Sequence, residues 1–307
     1  MFSNFTKNMN YFDILLQTWK TLWKHKAILG FGLMIFLVPG IFLVLLVGAV
    51  LFMQPEGYAP LVDLVYESPY VAGAAYLGIG LIWFLVTVIG YTGIVRGTVR
   101  AEQGAGTLAF ATLWEEAWPF VGRVTGLLLL LGVGVGMVFT IPAFLGVLTA
   151  GVAFLCLLPV IFLMFPLALL VQAFTNLSIA AAVADEAAVI AALKRGWQVL
   201  KENFMSVALM ALILYMIQVL LSFLISLPVY AVQFLPLASL PGDFPGRQAI
   251  SRTLNIAMLF VFPIVLALNS LVMTYLQSAW TLTYLRLTRP AAAASAAVPA
   301  GPADLSV

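Results

Sequence analysis

The feature that most constrains the fold is a run of about fifty residues, between Arg123 and Asn176, that contains no Asp, Glu, Lys or Arg. A helix of roughly 20 apolar residues crosses the hydrocarbon core of a bilayer. The run therefore predicts two membrane spans joined by a tight turn, which we place at 146–151. Over the whole chain 64% of the residues are hydrophobic and 8% are charged, whereas soluble domains carry roughly 25% charged residues. The sequence thus predicts an integral membrane protein.

The same criterion, applied along the chain, predicts a single all-α membrane domain over residues 1–289. Six transmembrane helices form three hairpins, and each hairpin is preceded by an amphipathic interfacial helix on the cytoplasmic side. The predicted spans are 27–53, 70–95, 124–146, 151–176, 205–230 and 253–285, and the predicted interfacial helices are 11–25, 107–121 and 186–203. The alanine-rich residues 290–307 carry one charge and predict a disordered tail.

The distribution of basic residues predicts the orientation of the protein in the membrane. Only Arg247 and Arg252 lie in or beside the loops on one side, and the other 12 of the 14 Lys and Arg residues lie on the side that holds both termini. Basic residues accumulate in cytoplasmic connections. Both termini are therefore predicted to face the cytoplasm of a bacterial cell, with the protein in its cytoplasmic membrane.

The predicted helix 186–203 is amphipathic, with Asp185 expected to cap its N-terminus and Trp197 in its apolar stripe. Two interpretations remain open. The helix is either a linker that packs on the bundle, or a surface that contacts anionic lipid or a partner, at about 1 kcal/mol per basic residue near an anionic surface. On this helix and on helix 11–25, the residues predicted for such contacts are Trp19, Lys20, Lys24, Lys194, Arg195, Trp197 and Lys201.

Tryptophans recur in the three interfacial helices and suggest an internal repeat. The first helix carries Trp19 and Trp23, the second Trp114 and Trp118, and the third Trp197. This pattern aligns Trp19 with Trp114 and Trp197. Enrichment of tryptophan at membrane interfaces would give a similar pattern without a repeat.

Neutral polar residues recur at helical spacing in the later spans. Interhelical hydrogen bonds explain most such stripes in membrane bundles, and a cytoplasm-facing polar cavity is the alternative. The candidate cavity residues are Gln172, Asn176, Gln218, Asn269, Gln277 and Thr281. No charged residue is assigned to the interior of a span. This argues against an ion-coupled pump, because proton and ion relays use intramembrane charges.

Composition excludes several other classes of function. The net charge of +2 is too small to indicate a nucleic-acid partner. Cys156 is the only cysteine and His25 the only histidine, so the chain cannot assemble a Cys/His zinc site, and His25 is expected to be solvated. Adjacent carboxylates point about 100° apart on a helix and do not face each other as an acid–base pair would. No catalytic residue, metal site or cofactor is predicted.

The segment 192–204 resembles a motif of certain bacterial six-span proteins. It reads Ala-Leu-Lys-Arg-Gly-Trp at 192–197 and Leu-Lys-Glu-Asn-Phe at 200–204, followed by a span. The resemblance is to the glycerophosphodiester phosphodiesterase membrane-domain family and related inner-membrane proteins of unknown function. It departs from the motif at Gly196, where serine is expected. Those phosphodiesterases add a catalytic barrel with histidines and metal-binding carboxylates, for which the single histidine here is insufficient. The resemblance therefore implies a membrane accessory role without that enzymatic activity.

The function predicted from the sequence is non-enzymatic. The basic interfacial helices are expected to contact membrane lipids, anionic ones in particular, or a partner, which would be a second copy of the chain or another membrane protein. One alternative is a transporter or facilitator of a small molecule or lipid through a neutral polar cavity. The second alternative is a membrane-embedded enzyme, which ranks last because no nucleophile–base set is visible.

Overall fold

The computed structural model describes residues 10–36, 40–41, 68–149, 152–239 and 247–288. Over this part of the chain every regular element is an α-helix, which confirms the predicted all-α class for these residues. The helices are α1 Tyr11–Lys24, α2 Lys26–Phe36, α3 Pro69–Glu102, α4 Phe110–Leu148, α5 Val152–Ala184, α6 Val189–Glu202, α7 Phe204–Ser239 and α8 Arg247–Thr288.

Five of these helices are long and apolar enough to cross a membrane. Their apolar stretches are Tyr70–Glu102, Phe110–Met137, Phe165–Ala184, Phe204–Ala231 and Phe260–Thr288. The chain is therefore a multi-pass membrane protein. The first predicted span, 27–53, is described only over 27–36 and 40–41. Its remainder and the predicted tail 290–307 lie outside the described residues, so the sixth span and the arrangement in three hairpins stay predictions.

One predicted helix boundary is wrong. The interfacial helix predicted at 107–121 is not separate from the third span, because α4 runs from Phe110 to Leu148 without a break. Pro119 and Gly122 lie at this junction, yet the helix continues through both of them into the span, because a proline inside a membrane helix is tolerated where neighbouring groups satisfy the freed backbone groups. The fifth predicted span, 205–230, agrees with the apolar stretch Phe204–Ala231, and the helix itself continues past Pro228 to Ser239. Proline is tolerated there because neighbouring groups and local adjustments satisfy the freed backbone groups of membrane helices.

The centre of the bundle is formed by α3, α5 and α8, which pack against one another. Every residue of 177–183 in α5 and of 276–285 in α8 is buried. Helix α8 also contacts α1, α6 and α7. Helix α8 thus lies at the centre of the bundle, with most of the other described helices packed against it.

Glycines let α2 approach this centre closely. Gly90, Gly93 and Gly97 line one side of α3, and a Cβ at Gly93 would overlap the ring of Phe31 on α2. A Cβ at Gly97 would lie 2.8 Å from Cγ1 of Ile28. Small residues at such spacing allow the backbones of membrane helices to come together. In this chain, the GxxxG spacing of Gly93 and Gly97 brings two of its own helices into contact.

The remaining helices follow a regular order around the centre. Helix α4 packs against α3 and α5, and α7 packs against α5 and α8. Helix α2 contacts α3 at Gly93 and α8 at Gly32, where a Cβ would overlap Thr274. The amphipathic segments keep the same order, because the start of α4 lies on α3, α6 on α5 and α1 on α8. They all lie at one end of the bundle, which we name the amphipathic-helix end.

Candidate functional site

Helix α1 has three distinct faces. Asn10 caps its N-terminus, as its side chain accepts a hydrogen bond from the Asp13 amide at 3.4 Å. Ile14, Thr18 and Leu22 are buried against the bundle. A second, apolar face is exposed and consists of Phe12, Leu16, Trp19 and Trp23, at spacings of four, three and four. The exposed Lys20 and Lys24 lie beside it on the polar face. Most of the aromatic face is therefore available to lipid, and the Trp19 ring also packs edge-on against Tyr275 of α8, with 6.4 Å between ring centroids.

Polar contacts fix α1 to the ends of two central helices. Gln17 donates a hydrogen bond from Nε2 to Glu102 at the end of α3, at 2.5 Å, and accepts one at 2.7 Å from Arg286 near the end of α8. The Tyr275 hydroxyl donates to the Leu15 carbonyl at 3.2 Å. These bonds set the rotation of α1 about its axis, which leaves Trp19 and Trp23 more than half exposed.

Helix α6 has the same division into faces. Ala192, Gly196, Val199 and Leu200 are buried, whereas Trp197 is 58% exposed, with its ring edge-on to Phe174. A Cβ at Gly196 would lie 3.0 Å from Cα and from N of Ser178 on α5. Serine, expected here from the family resemblance, would meet the same obstacle. The close approach of α6 to α5 therefore explains why glycine stands at this position.

The basic residues of α6 fall into two groups. Lys194 and Lys201 are exposed on the side of the helix that carries Trp197. Arg195 instead lies with its Nε 3.9 Å from Asp185 Oδ2 and donates to Gln198 Oε1 at 3.3 Å. Arg195 thus contacts the protein itself, and the structure separates it from the two lysines with which the sequence grouped it.

Asp185 does not cap α6, contrary to the prediction. The residue preceding α6 is Ala188, which makes no side-chain capping bond. Asp185 accepts a hydrogen bond from the hydroxyl of Tyr284, which is fully buried on α8. The next residue, Glu186, has φ +53, a conformation that is uncommon outside glycine. The connection between α5 and α6 is therefore turned toward α8, and this turn removes Asp185 from the helix start.

A charged network at the amphipathic-helix end was not predicted. Glu116 on α4 accepts from Arg100 at 2.7 Å and from Arg96 at 3.3 Å, both on α3. Arg96 also lies 3.7 Å from Glu186, and Arg123 donates to the Glu186 carbonyl. The one-turn spacing of Arg96 and Arg100 was visible in the sequence, but it does not show which of the acidic residues they meet.

His25 is buried, so the expectation of a solvated histidine is wrong. It follows α1 directly, is 4% exposed, and its Nδ1 has no hydrogen-bond partner among the described residues. Burial, together with the neighbouring Lys24, lowers the pKa of His25 below its usual 6.5. Its position at the junction of α1 and α2 draws the side chain into the protein.

A cavity of about 290 Å³ lies between α3, α4, α5, α7 and α8. Four of the six candidate residues line it, namely Gln172, Asn176, Gln218 and Gln277, together with Tyr91, Tyr215 and Trp280. Asn269 and Thr281 are not among the residues lining it. They donate to carbonyls of their own helix, at 3.0 Å to Val265 and at 2.9 Å to Gln277.

The hydroxyl stripe of α8 is satisfied mostly within the helix. Thr274, Thr281 and Thr283 each donate to the carbonyl four residues earlier, at 2.7 to 2.9 Å. Three other α8 hydroxyls have partners outside the helix: Ser278 accepts from Thr98 of α3 at 3.1 Å, Tyr275 donates to the Leu15 carbonyl, and Tyr284 donates to Asp185. Interhelical hydrogen bonding therefore does not explain the threonines of the stripe, because helical threonines find an acceptor one turn back.

Comparison with protein families, with curated proteins and with solved structures finds no match for this chain. Nothing therefore bears on the resemblance of residues 192–204 to the phosphodiesterase membrane domains, which stays a prediction. Within the described ranges, no group of three or more His, Cys, Asp or Glu side chains is placed to hold a metal ion.

Proposed function

We propose that this is a non-catalytic protein of the bacterial cytoplasmic membrane whose helices α1 and α6 bind anionic phospholipid at the cytoplasmic face. The observation that supports the proposal most directly is the pairing of exposed tryptophan with exposed lysine on both helices. Trp19 and Trp197 are 54% and 58% exposed although each helix is docked on the bundle. Tryptophan prefers the depth of the lipid headgroups, where its ring is apolar and its N–H finds a partner.

The lysines beside these tryptophans are free to reach lipid phosphates. The ion pairs among the described residues join Arg96, Arg100 and Arg195 to acidic side chains, and none involves a lysine. A lysine at a membrane interface buries its aliphatic stem and extends its ammonium toward the headgroups. Each basic residue near an anionic surface contributes about 1 kcal/mol. The proposed lipid-contact set is therefore Trp19, Lys20, Lys24, Trp197, Lys194 and Lys201, without Arg195.

Native mass spectrometry tests the proposal. The full chain is released from a mild detergent that contains equal amounts of phosphatidylglycerol and phosphatidylcholine. The wild type is expected to retain phosphatidylglycerol preferentially. Replacing Lys20, Lys24, Lys194 and Lys201 with Gln should abolish the preference, at roughly fivefold in affinity per lysine. The matched control replaces the same four residues with Arg, which keeps the charge and should keep the preference.

Two further outcomes discriminate between explanations. Arg195→Gln should leave the lipid preference intact, since Arg195 contacts Asp185. Raising the salt concentration should weaken retention in the wild type, because exposed charges are screened. An unchanged preference in the four-lysine Gln variant would contradict the proposal, and co-purification of a second protein lost in that variant would favour a protein partner.

A further inference from the structure

We infer that the cavity is a binding site for a compact, uncharged, hydroxyl-rich solute. The inference goes beyond the proposed lipid contacts and does not depend on them, because none of the lipid-contact residues lines the cavity. It rests on four observations: the size of the cavity, the absence of charge in its lining, the placement of its carboxamides, and one buried amide without a partner.

The volume of the cavity limits the size of the ligand. At about 290 Å³ it lies at the lower end of the range for ligand pockets, roughly 300–1,000 Å³. Water occupies about 30 Å³ per molecule in the liquid, so the space corresponds to roughly ten water-sized groups. A solute of about ten non-hydrogen atoms fits this space, whereas a whole phospholipid does not.

The lining is more apolar than polar, and none of its side chains carries a charge. Its polar side chains are carboxamides, a threonine, two tyrosines and Trp280. An ion taken from water into such a site would lose hydration without meeting an opposite charge, which is costly in a membrane protein. The lining therefore selects against ionic ligands.

The carboxamides form a gradient from the rim of the cavity to its floor. Gln172 is exposed, Asn176 and Gln218 are half-buried, and Gln277 is buried at 5% exposure. Within the described residues, no side-chain hydrogen bond joins these four carboxamides to one another or to other groups. Gln172, Asn176 and Gln218 therefore have donors and acceptors available to a solute in the cavity, and Gln277 lies deepest, with its Nε2 enclosed by the protein.

Gln277 provides the most specific signal. Its Nε2 is buried and has no hydrogen-bond partner among the described residues, although threonines around it satisfy their hydroxyls within the helix. Leaving a buried donor unpaired is unfavourable, and chains retain such groups where they have a role. A ligand acceptor at the floor of the cavity would complete this donor.

Hydroxyl groups suit this lining better than a single carbonyl would. A carboxamide offers two donors and an accepting oxygen, and one hydroxyl can both donate and accept. The rings of Trp280, Tyr91 and Tyr215 add apolar surface for the C–H groups of such a solute. Tyr215 is held edge-on by Phe165, with 5.2 Å between ring centroids. The lining therefore recognises both parts of a polyol.

Saturation-transfer-difference NMR on the full chain in detergent micelles tests the inference, with xylitol as the probe and xylonate as its charged analogue. The wild type should transfer saturation to xylitol, and an excess of unlabelled erythritol should reduce the signal from the probe. Transfer to xylonate should be at least tenfold weaker. Gln277→Leu should reduce transfer to xylitol at least tenfold, whereas Gln103→Leu, on the exposed residue that follows α3, should leave it unchanged.

Gln218→Leu provides a second variant in case Gln277→Leu does not fold, as judged by elution from a sizing column and by far-UV circular dichroism. It should also weaken the xylitol signal. Equal transfer in the wild type and in the folded cavity variants would show contact with micelle or surface only and would overturn the inference. Absence of transfer in the wild type, or equal transfer to xylonate, would overturn it as well.

Discussion

Gly196 is the position at which the structure makes its sharpest prediction about stability. It lies in the middle of α6, and a Cβ there would lie 3.0 Å from Cα and N of Ser178 and closer still to its hydroxyl oxygen. The hydroxyl can rotate away, but the backbone of α5 cannot. Gly196→Ala should therefore push α6 off α5, at a cost of about 1–3 kcal/mol for overpacking.

Alanine also gains about 1 kcal/mol over glycine in a helix, so a matched control is needed to separate the two effects. Gly122 is an exposed glycine inside α4, and a Cβ there would meet nothing within 4 Å. Gly122→Ala should stabilise the protein by up to about 1 kcal/mol. Because the propensity gain is common to both variants, the difference between them isolates the packing cost.

The assay is thermal unfolding of both variants in the same detergent, followed by intrinsic tryptophan fluorescence. Gly196→Ala should unfold several degrees below Gly122→Ala, since about 1 kcal/mol shifts the midpoint by roughly 2–4 °C in a chain of more than 150 residues. Combining Gly196→Ala with Ser178→Ala should recover part of the loss, because it removes the nearest clashing atom. Equal midpoints for Gly196→Ala and Gly122→Ala would refute the close packing of α6 on α5.

Three further predictions concern the buried and paired polar groups. The pKa of His25 is lowered in the folded state, so the unfolded state binds more protons below about pH 6.5. The midpoint temperature of unfolding should therefore fall as the pH is lowered below about 6.5, and His25→Gln should make the midpoint less dependent on pH. Glu116→Gln should destabilise the protein by about 1 kcal/mol at low salt and by less at high salt, since it leaves Arg100 without a carboxylate and Arg96 with only the more distant Glu186. Glu115→Gln, at the exposed neighbouring position, should have no effect on the midpoint. Tyr284→Phe removes the buried hydroxyl that donates to Asp185 and should cost about 1.5–3 kcal/mol, measured as the shift in the same unfolding assay.

The helices themselves were largely predictable, because hydrophobic runs and polar interruptions mark them directly. The predicted helix 11–25 became Tyr11–Lys24 and the predicted 186–203 became Val189–Glu202. The helix predicted at 107–121 is not separate, because α4 continues through Pro119 and Gly122 into the span. Local signals thus located the elements well, and located their ends less well where a helix continues through a proline or a glycine.

The rotation of each helix about its axis was not predictable from the sequence. On α1 the helical period places the apolar residues Phe12, Trp19 and Leu22 on one stripe, yet only Leu22 of these is buried. An amphipathic helix at a membrane surface has two apolar environments, protein and lipid, and hydrophobicity does not distinguish between them. Contacts between residues distant in sequence, such as the hydrogen bond from Tyr284 to Asp185, likewise depend on the order of the helices around the bundle. The hydrophobic pattern of a single helix carries no information about that order.

The order of packing changes how an internal repeat should be aligned. In each amphipathic segment a buried residue directly precedes an exposed tryptophan: Thr18 before Trp19, Ala117 before Trp118, and Gly196 before Trp197. Leu22 before Trp23 follows the same pattern, so Trp118 pairs with Trp197 and with either Trp19 or Trp23. The alignment from the sequence used Trp114, which is half-buried and stacked on Trp118.

Each of these segments lies on the central helix that comes before it in the chain, and α1, which has no described helix before it, lies on α8. The last central helix, α8, therefore packs against the first amphipathic helix, α1, and the packing order of central and amphipathic helices closes into a ring. A closed order of this kind follows naturally from three similar units around a pseudo-threefold axis, whereas interfacial enrichment of tryptophan alone gives no reason for α1 to dock on α8. The packing order, more than the spacing of tryptophans, therefore favours a threefold internal repeat.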